Sequence, residues 1–410
     1  MTSGRDTIWW HVYPLGFCGA PIRDHDTAPT PRLDHLTGWL DYAVDLGATG
    51  LLLGPVFASE THGYDTLDHS RIDPRLGDDA AFDRLVAACR TRGVRLVLDG
   101  VFNHVGRHHP WLQQALAGGP AGPDAHIFRI DWSDPAAPRC GTFEGHGELV
   151  PFDHSQPRVA DAVADVMNHW LDRGADGWRL DAAYAVPAEF WARVLPRVRQ
   201  HHPDAWLTGE VIHGDYPAYV QASGLDSVTQ YELWKAIWSS LADRNLFELD
   251  WALTRHNRFL DTFVPTTFVG NHDVTRLASV VGNDRLVAAT AILCTVGGTP
   301  TIYYGDEQAF RGEKRDGWGG DDEIRPSFPA SPADLAGYGW PVFHAHQALL
   351  RLRRDRPWLT TARTETVALT NTVYAYRTVS ADGARALSVE VDVTSPAHVI
   401  VRDGDVVFSS

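Results

Sequence analysis

The stretch DGWRLDAAY (176–184) is the part of this 410-residue chain from which its fold can first be predicted. Trp178 and Leu180 are typical of a buried β-strand, whereas Arg179 and Asp181 place two charges where that strand ends. In parallel α/β folds the carboxyl ends of the strands are where functional side chains gather. An arginine and a carboxylate at the end of an apolar strand therefore predict a polar site there.

Other apolar stretches of similar length recur along the chain and alternate with amphipathic ones. They are TIWWHVYPL (7–15), ATGLLLGP (48–55), VRLVLDGV (94–101), AWLTGEV (205–211), SVTQYE (227–232), TTFVGNH (266–272) and TPTIYYG (299–305). Between them, apolar residues spaced as in Phe82, Leu85, Val86 and Cys89 predict helices. Strands that alternate with helices predict a parallel sheet, and eight such units favour a (β/α)₈ TIM barrel of the α/β class over an open sheet.

Two regions depart from this alternation. Residues 105–155, after the third predicted strand, are rich in Gly, Pro and His and show no clear period, which predicts a short inserted domain or a long loop. Residues 359–410 contain short alternating segments, such as ARALSVEVDV, which predict a small C-terminal antiparallel β domain. The barrel itself is then expected to comprise residues 1–104 and 156–358.

Composition and charge limit the possible functions. The net charge of −16 lacks the basic footprint of a nucleic-acid binder and is compatible with a neutral substrate. The spacings of Cys18, Cys89, Cys140 and Cys294 match no metal or redox motif, and Cys89 and Cys294 are predicted to be free buried thiols. The N-terminus shows no signal peptide and no apolar run is long enough for a membrane span, so we expect a cytoplasmic protein without a membrane role.

Polar side chains end most of the predicted strands. They are Asp99, Asn103, His104, Arg179, Asp181, Glu210, Asn271, His272 and Asp273. Asp181 and Glu210 are about one strand–helix unit apart, and Glu210 and Asp273 about two. In a barrel such positions converge on one mouth. We therefore expect three carboxylates, an arginine and two histidines around a single pocket.

Three carboxylates and an arginine, without a cysteine pair or a metal motif, suit glycoside hydrolysis. One carboxylic acid protonates the leaving oxygen, and one carboxylate attacks or activates water. Arg179 is expected to hold Asp181 ionised. Glu210 follows an apolar strand and has no positive neighbour along the sequence, so it is expected to stay protonated.

These residues lie in motifs that resemble the α-amylase family of retaining glycoside hydrolases, glycoside hydrolase family 13. The motifs are DGVFNH (99–104), GWRLDAAY (177–184), LTGEVIH (207–213) and FVGNHD (268–273), together with LVPFDHSQP (149–157) and HGYDTLDHSRIDPRLG (62–77). The resemblance extends from about residue 7 to residue 355. Each motif alone is weak, but six in the family's order at barrel spacing are specific.

The resemblance implies a role for each matching residue. Asp181 matches the nucleophile, Glu210 the general acid/base, and Asp273 the third catalytic carboxylate, which binds ring hydroxyls and stabilises the transition state. Arg179 matches the arginine that orients the nucleophile, and His104 and His272 match histidines that bind sugar hydroxyls. Tyr64 matches the aromatic residue that stacks under the sugar ring, and Asp321 and Arg325 match a more distant pair that contacts the substrate. Asp99 and Asn103 match supporting residues. The implied mechanism forms a β-glucosyl ester on Asp181.

Departures from the family pattern refine the expectation. The stretch AAYAV after the nucleophile lacks the Lys-His of many endo-acting amylases, which argues against starch liquefaction. GEVIH, YELWKAIWSSL and TTFVGNHDVTR are most similar to the cyclomaltodextrinase, neopullulanase and α-glucosidase-like members, although no N-terminal β domain is expected before the first strand. No cofactor is implied, but Asn103 matches a position that ligates calcium in some members.

The expected partner is a small α-glucoside or malto-oligosaccharide. Hydrolysis of the substrate is the main hypothesis. A transglycosylase or an isomerase on the same scaffold, for example a glucosyl-transferring or trehalose-forming enzyme, stays open as an alternative, because either water or a sugar can react with the ester. A non-catalytic sugar-binding barrel is the remote alternative, since such relatives would be expected to lose carboxylates. A Schiff-base barrel enzyme is disfavoured because neither Lys235 nor Lys314 ends a predicted strand. Linkage, chain length, endo or exo action and oligomeric state also stay open.

Overall fold

The computed structural model describes residues 4–24 and 28–410 and is built around eight short parallel strands. They are β1 (Trp9–Val12), β2 (Gly50–Leu53), β3 (Arg95–Gly100), β4 (Gly177–Leu180), β5 (Trp206–Gly209), β6 (Ser227–Val228), β7 (Thr266–Phe268) and β8 (Thr299–Tyr303). Their order is β6-β5-β4-β3-β2-β1-β8-β7. A parallel bridge between Thr229 and Thr266 joins the two ends of this order. The predicted (β/α)₈ barrel is confirmed, and each strand lies within its predicted stretch.

Helices follow the strands and pack around the barrel. They are Pro14–Phe17, Leu33–Gly38, Leu40–Leu46, Asp79–Arg92, Pro110–Gly118, Pro157–Asp172, Ala188–His201, Tyr216–Ser223, Tyr231–Asp243, Phe247–Phe259, Leu277–Val281, Asn283–Thr295 and Trp340–Arg354. The apolar positions of the predicted helices are buried, as Phe82 and Leu85 show. The helices Leu33–Gly38 and Leu40–Leu46 are separated at Trp39, which follows the first and precedes the second.

The inside of the barrel changes from apolar to polar along the strands. Four inward side chains form an apolar cluster of their own, separate from the main core: Trp9, Leu52, Val97 and Trp206. Side chains alternate along a strand, so the next inward residues lie two positions further on. There Asp99 of β3 is in register with Arg179 of β4, and Arg179 with Thr208 of β5. A charged layer therefore lies above an apolar plug, towards the carboxyl ends of the strands.

The loops at the carboxyl ends of β2 and β3 carry small antiparallel ladders. After β2, Phe57–Ser59 pairs with Thr66–Ile72. In the segment after β3, His104–Gly106 pairs with Leu149–Pro151 and Ile130–Asp131 with Arg139–Cys140. The segment predicted as a short inserted domain or long loop thus contains one helix, Pro110–Gly118, and two short ladders.

A five-stranded antiparallel sheet occupies the C-terminal region. Its strands are β9 (Arg363–Leu369), β10 (Val373–Val379), β11 (Ala386–Asp392), β12 (His398–Asp403) and β13 (Asp405–Ser409), paired in sequence order. The sheet contacts the barrel where the Tyr376 hydroxyl lies 2.7 Å from the Thr295 hydroxyl. The predicted C-terminal β domain is confirmed as a fold element.

Two further expectations concern thiols and membranes. Cys89 and Cys294 are free and buried, as predicted, and burial raises the pKa of each thiol to about 12. Such thiols are unreactive at neutral pH. Within residues 4–24 and 28–410, no helix combines the length and the apolar character needed to cross a membrane.

Candidate active site

The polar strand ends meet at a cavity of about 300 Å³ at the carboxyl end of the barrel. Asp181 directly follows β4, Glu210 directly follows β5, and Asp273 lies in the loop after β7. All three carboxylates line this cavity, together with Tyr64 and His104. The structure therefore brings the three predicted catalytic carboxylates to one place.

Arg179 lies beneath the cavity, only 4% exposed, and contacts three carboxylates at once. Its Nη1 lies 2.8 and 2.9 Å from the two oxygens of Asp99 and 2.9 Å from Asp181 Oδ1. Its Nη2 lies 2.8 Å from Glu210 Oε1. Glu210, which has no positive neighbour along the sequence, therefore has one in the fold. β4 lies between β3 and β5, so the arginine reaches partners on both sides that are distant along the chain.

The protonation of the carboxylates follows from this crowding. Burial raises the pKa of Asp181 well above its ordinary value, and the neighbouring carboxylates Glu210 and Asp99 raise it further, against Arg179. Burial likewise raises the pKa of Asp99. Arg179 lowers the pKa of Asp181, as expected, but burial outweighs this effect because one guanidinium faces three buried carboxylates. Such a cluster favours binding a proton.

Asp273 shows the opposite behaviour. Burial alone would raise its pKa, but His272 and Arg325 outweigh burial and hold the pKa of Asp273 well below its ordinary value. His272 Nε2 lies 3.0 Å from Asp273 Oδ2, and Arg325 Nη2 lies 3.0 Å from Asp273 Oδ1. The site thus contains one carboxylate whose pKa is lowered, Asp273, and two whose pKa is raised, Asp181 and Asp99. Acid–base chemistry needs environments that move carboxyl pKa values apart in this way.

Glu210 is held by donors that the sequence did not indicate. The Tyr231 hydroxyl donates to Oε1 at 3.0 Å, and the Ala182 amide donates to Oε2 at 3.0 Å. Asn271 Nδ2 in turn donates to the Tyr231 hydroxyl at 2.9 Å. Ala182 has a φ of +44°, in the left-handed region, which costs about 1 kcal/mol for a residue with a Cβ. Tyr231 was missed because a search for charged strand ends passes over β6.

Tyr64 and the two histidines form the polar wall beside these carboxylates. The Tyr64 ring stacks on His272 with centroids 5.2 Å apart, and its hydroxyl contacts His272 Nε2 and, at 3.2 Å, Asp99. His104 donates from Nε2 to the Tyr64 carbonyl at 3.0 Å and accepts at Nδ1 from Asn103 at 3.0 Å. Burial lowers the pKa of His104 to about 3, so its ring is neutral. The predicted hydroxyl-binding residues are thus assembled at the cavity.

Asn103 tests the calcium expectation. Its side chain is 3% exposed and its amide nitrogen is directed at the His104 ring. Among the residues that the structure describes, no group of three or more His, Cys, Asp or Glu side chains is arranged to hold a metal ion. Calcium prefers a cage of six to eight oxygen ligands. The side chains around Asn103 do not fit such a cage.

Arg325 connects the catalytic cavity with a larger one. Its Nη2 lies 2.9 Å from Asp321 Oδ2 as well as 3.0 Å from Asp273 Oδ1, and its guanidinium lies 4.7 Å above the Tyr13 ring. Asp321 and Arg325 line a second cavity of about 770 Å³. His146 and Leu149 line both cavities. The predicted distant pair is therefore joined to the carboxylate cluster through Asp273.

The segment after β3 supplies one wall of the catalytic cavity. Phe143 stacks on the His104 ring with centroids 4.8 Å apart. Glu144 Oε1 accepts a hydrogen bond of 2.7 Å from the Tyr184 hydroxyl, which lies just after the β4 strand. Both residues line the cavity. They were missed because the segment has no periodicity from which its path can be predicted.

Comparison with known proteins places this geometry in a family. A model of the α-amylase catalytic domain matches residues 19–139 and 143–338. The chain is 30% identical over 348 residues to a cyclomaltodextrinase of Geobacillus thermopakistaniensis, covering 78% of this chain and 58% of that protein. It is 31% identical over 335 residues to neopullulanase 2 of Thermoactinomyces vulgaris, covering 75% and 57%. The chain thus spans somewhat more than half the length of these relatives.

A solved structure agrees over nearly the whole chain. The ligand-free cyclic α-maltosyl-(1→6)-maltose hydrolase from Arthrobacter globiformis superimposes with a TM-score of 0.81 at 26% sequence identity. The superposition covers 95% of this chain and 91% of that chain. The barrel and the C-terminal sheet are therefore shared with a protein of similar size.

Proposed function

This chain belongs to the α-amylase family, and we propose that it hydrolyses α-glucosidic bonds in short α-glucosides or malto-oligosaccharides with retention of configuration. The observation that carries this proposal is the meeting of Asp181, Glu210 and Asp273 in one cavity above a shared arginine. Two carboxyl groups on one guanidinium lie close together. Close spacing favours the retaining mechanism, whereas inverting enzymes separate the two groups by roughly 6.5–9.5 Å.

The first step forms the covalent intermediate. An Asp181 oxygen attacks the anomeric carbon, the glycosidic bond breaks, and Glu210 gives its proton to the departing oxygen. The reaction requires Glu210 to carry a proton and Asp181 to be ionised when substrate is bound. Arg179 contacts both groups, so it orients Asp181 and balances the charge that forms on Glu210.

The second step resolves the ester. Glu210, now ionised, takes a proton from water as the water oxygen attacks the anomeric carbon, and Asp181 leaves as a carboxylate. The product sugar keeps the α configuration because the carbon is inverted twice. An acceptor sugar in place of water would give transfer instead, by the same atoms and the same proton path.

The remaining residues bind the sugar at the point of cleavage. Asp273, kept ionised by His272 and Arg325, accepts hydrogen bonds from ring hydroxyls. These bonds strengthen as the ring flattens and becomes positively charged in the transition state. Tyr64 offers its ring to the sugar face, and His104 offers a neutral imidazole beside it.

The substrate class is supported by the site and by its relatives. Small α-glucosides and oligosaccharides are neutral, and the chain has no basic footprint that would point to an anionic partner. Glu144 and Tyr184, joined by a hydrogen bond, are both part of the wall of a cavity of only about 300 Å³, a size that suits short chains. The similar proteins are a cyclomaltodextrinase and a neopullulanase, and this similarity supports maltodextrin-like substrates for this chain as well.

The test is product analysis by NMR on a panel of α-glucosides. The panel comprises maltose, isomaltose, trehalose, sucrose, longer malto-oligosaccharides, cyclodextrin and starch. We expect the α-anomer to appear first from the small substrates, and Asp181→Asn to abolish turnover. Accumulation of larger or rearranged sugars would assign the chain to transfer or isomerisation. Binding without any cleavage would assign it to the non-catalytic alternative, and first appearance of the β-anomer would contradict the retaining mechanism.

A further inference from the structure

An exposed tryptophan stands on a rigid turn at the edge of the larger cavity. Trp318 is 82% exposed and lies between Gly317 and Gly319, whose φ values are +89° and +77°. The turn is closed by backbone hydrogen bonds from Arg315 to Gly320 at 3.0 Å and from Gly320 to Gly317 at 3.1 Å. A side chain at Gly320 would place its Cβ 1.9 Å from the Arg315 carbonyl oxygen. The turn is therefore built around its glycines.

The indole is supported from one side by an arginine that is itself fixed. Arg23 Cζ lies 5.1 Å from the centre of the Trp318 ring. The guanidinium donates two hydrogen bonds to Asp322, at 3.0 and 2.8 Å. The preceding carbonyl, that of Ile22, accepts from the buried Arg75 at 2.9 Å. A cation–π contact and a two-pronged ion pair thus hold the ring while most of its surface faces solvent.

The position of this ring relates it to catalysis. Trp318 lines the 770 Å³ cavity together with Asp321 and Arg325, and Arg325 contacts Asp273 at the edge of the catalytic cavity. Tyr184, whose amide donates to the Glu210 carbonyl, lines the catalytic cavity on the other side. Glu210 protonates the leaving oxygen in the proposed function. The leaving group therefore belongs beside Tyr184, and the non-reducing part of the substrate extends past Asp273 towards Trp318.

We propose that Trp318 is a stacking platform for a glucose unit on the non-reducing side of the cleaved bond, so that the preferred substrate is a linear malto-oligosaccharide longer than a disaccharide. The inference rests on the proposed function and deepens it. An indole face matches the flat face of a glucopyranose in shape and apolar character, and a rigid aromatic ring loses little conformational entropy on binding. Asp321, beside it, accepts hydrogen bonds from sugar hydroxyls.

The experiment measures how rate depends on chain length on that side alone. In 4-nitrophenyl α-glycosides, from the glucoside to the maltopentaoside, the aryl group leaves and every added glucose extends the non-reducing side. Chromatographic separation of the products identifies the turnovers in which the bond to the aryl group is cleaved, and only these enter the rate. We expect kcat/KM to rise with length in the native protein, and Trp318→Ala to reduce the maltopentaoside-to-glucoside ratio roughly tenfold. Trp318→Phe keeps an aromatic face and should retain most of the ratio.

Trp251 provides a matched control. It is 61% exposed and lies under Arg255, whose Cζ is 5.3 Å from the ring centre, but it is on the helix Phe247–Phe259 and lines neither cavity. Trp251→Ala removes the same type of side chain from a similar setting, but away from both cavities. Its maltopentaoside-to-glucoside ratio of kcat/KM should therefore equal that of the native protein. A Trp318→Ala ratio equal to the native one would overturn the platform.

Calorimetry separates this inference from the proposed function. If the native protein cleaves none of the glycosides, the proposed function fails, and the platform is then tested by titrating maltopentaose into the Asp181→Asn protein. We expect Trp318→Ala in that background to weaken binding roughly tenfold. Equal affinities with and without Trp318, or no binding of maltopentaose to either protein, would overturn the platform.

Discussion

Arg179 shows how much of the site depends on one residue. Its two terminal nitrogens hold Asp99, Asp181 and Glu210 at 2.8–2.9 Å, and it is almost completely buried. The flat, forked guanidinium fits several carboxylates at once, and the ammonium of lysine does not. Each carboxylate that loses its partner would remain buried with an uncompensated charge.

The first prediction follows from this geometry. Arg179→Lys should lower kcat/KM by at least about a hundredfold, because Asp181 and Glu210 lose their common support. Steady-state kinetics on maltotriose measure the loss. Arg197→Lys is the matched control, since Arg197 pairs with Asp161 on the surface and should leave kcat/KM unchanged. Native-like kinetics in Arg179→Lys would show that the shared contact is dispensable.

The second prediction concerns the proton donor. Glu210→Gln keeps the shape of the side chain but removes its proton, so the rate should depend strongly on the leaving group. We expect the loss of kcat to be at least about tenfold greater for maltotriose than for 4-nitrophenyl α-glucoside, whose leaving group needs little protonation. Equal losses on both substrates would contradict the assignment of Glu210 as the acid.

At the scale of elements, the spacing of β4 and β5 places the nucleophile beside the acid. Gly177 begins β4 and lies so close to β5 that a Cβ there would be 2.1 Å from the Trp206 carbonyl oxygen. The contact is backbone, which a side-chain rotation cannot relieve. A glycine at this point allows the two strands to approach in the register that brings Asp181 next to Glu210.

The third prediction tests that approach. Gly177→Ala should lower the free energy of unfolding by about 2–3 kcal/mol, because the strands must move apart or the ladder must distort. Urea unfolding gives the value. Gly38→Ala is the control: it lies in the helix Leu33–Gly38 with open space around it, and should be neutral or stabilising by up to about 1 kcal/mol. Equal effects at both positions would refute close packing of β4 on β5.

The element scale also shows what could be predicted. All eight barrel strands were located from apolar stretches, because strand burial leaves a local pattern in the sequence. β6 was predicted over residues 227–232 but ends at Val228, since Tyr231 already begins a helix. The C-terminal sheet was predicted from short segments in which apolar and polar residues alternate. The positions of Phe143 and Glu144 in the cavity wall could not be predicted. Both residues lie in a segment without periodicity, where the path of the backbone depends on contacts with distant residues.

At the scale of the whole molecule, buried neutral histidines govern stability in acid. Burial lowers the pKa of His154, His256 and His346 to about 4, well below 6.5 in the unfolded chain. Between these values the unfolded state binds more protons, so stability present above pH 6.5 is lost as the pH falls towards 4. The raised pKa values of four buried carboxyl groups, Asp99, Asp181, Asp306 and Glu307, act in the opposite direction, because the folded state then takes up protons.

The fourth prediction is a steep loss of stability in mild acid. We expect the free energy of unfolding to fall from neutral pH to about pH 5, since each buried histidine contributes about 1.4 kcal/mol per unit of pKa difference. Nine of the described histidines have a lowered pKa, against four buried carboxyl groups whose pKa is raised. Urea unfolding across this range measures the slope. His256→Gln keeps a donor for the Gly297 carbonyl and should reduce the slope by about one proton. A flat profile would contradict the burial of neutral imidazoles.

The sequence by itself determined the barrel, the C-terminal sheet, and the strand-end residues His104, Asp181, Glu210 and Asp273 that line the cavity. Apolar periodicity and strand-end charge are properties of neighbouring residues, so they can be recognised in the sequence. Only the tertiary structure decided that Arg179 serves three carboxylates, that Tyr231 reaches Glu210, and that Trp318 stands at the cleft. Those contacts join residues that are far apart in the chain. They depend on strand register and loop path, which barrel closure fixes and local sequence patterns do not contain.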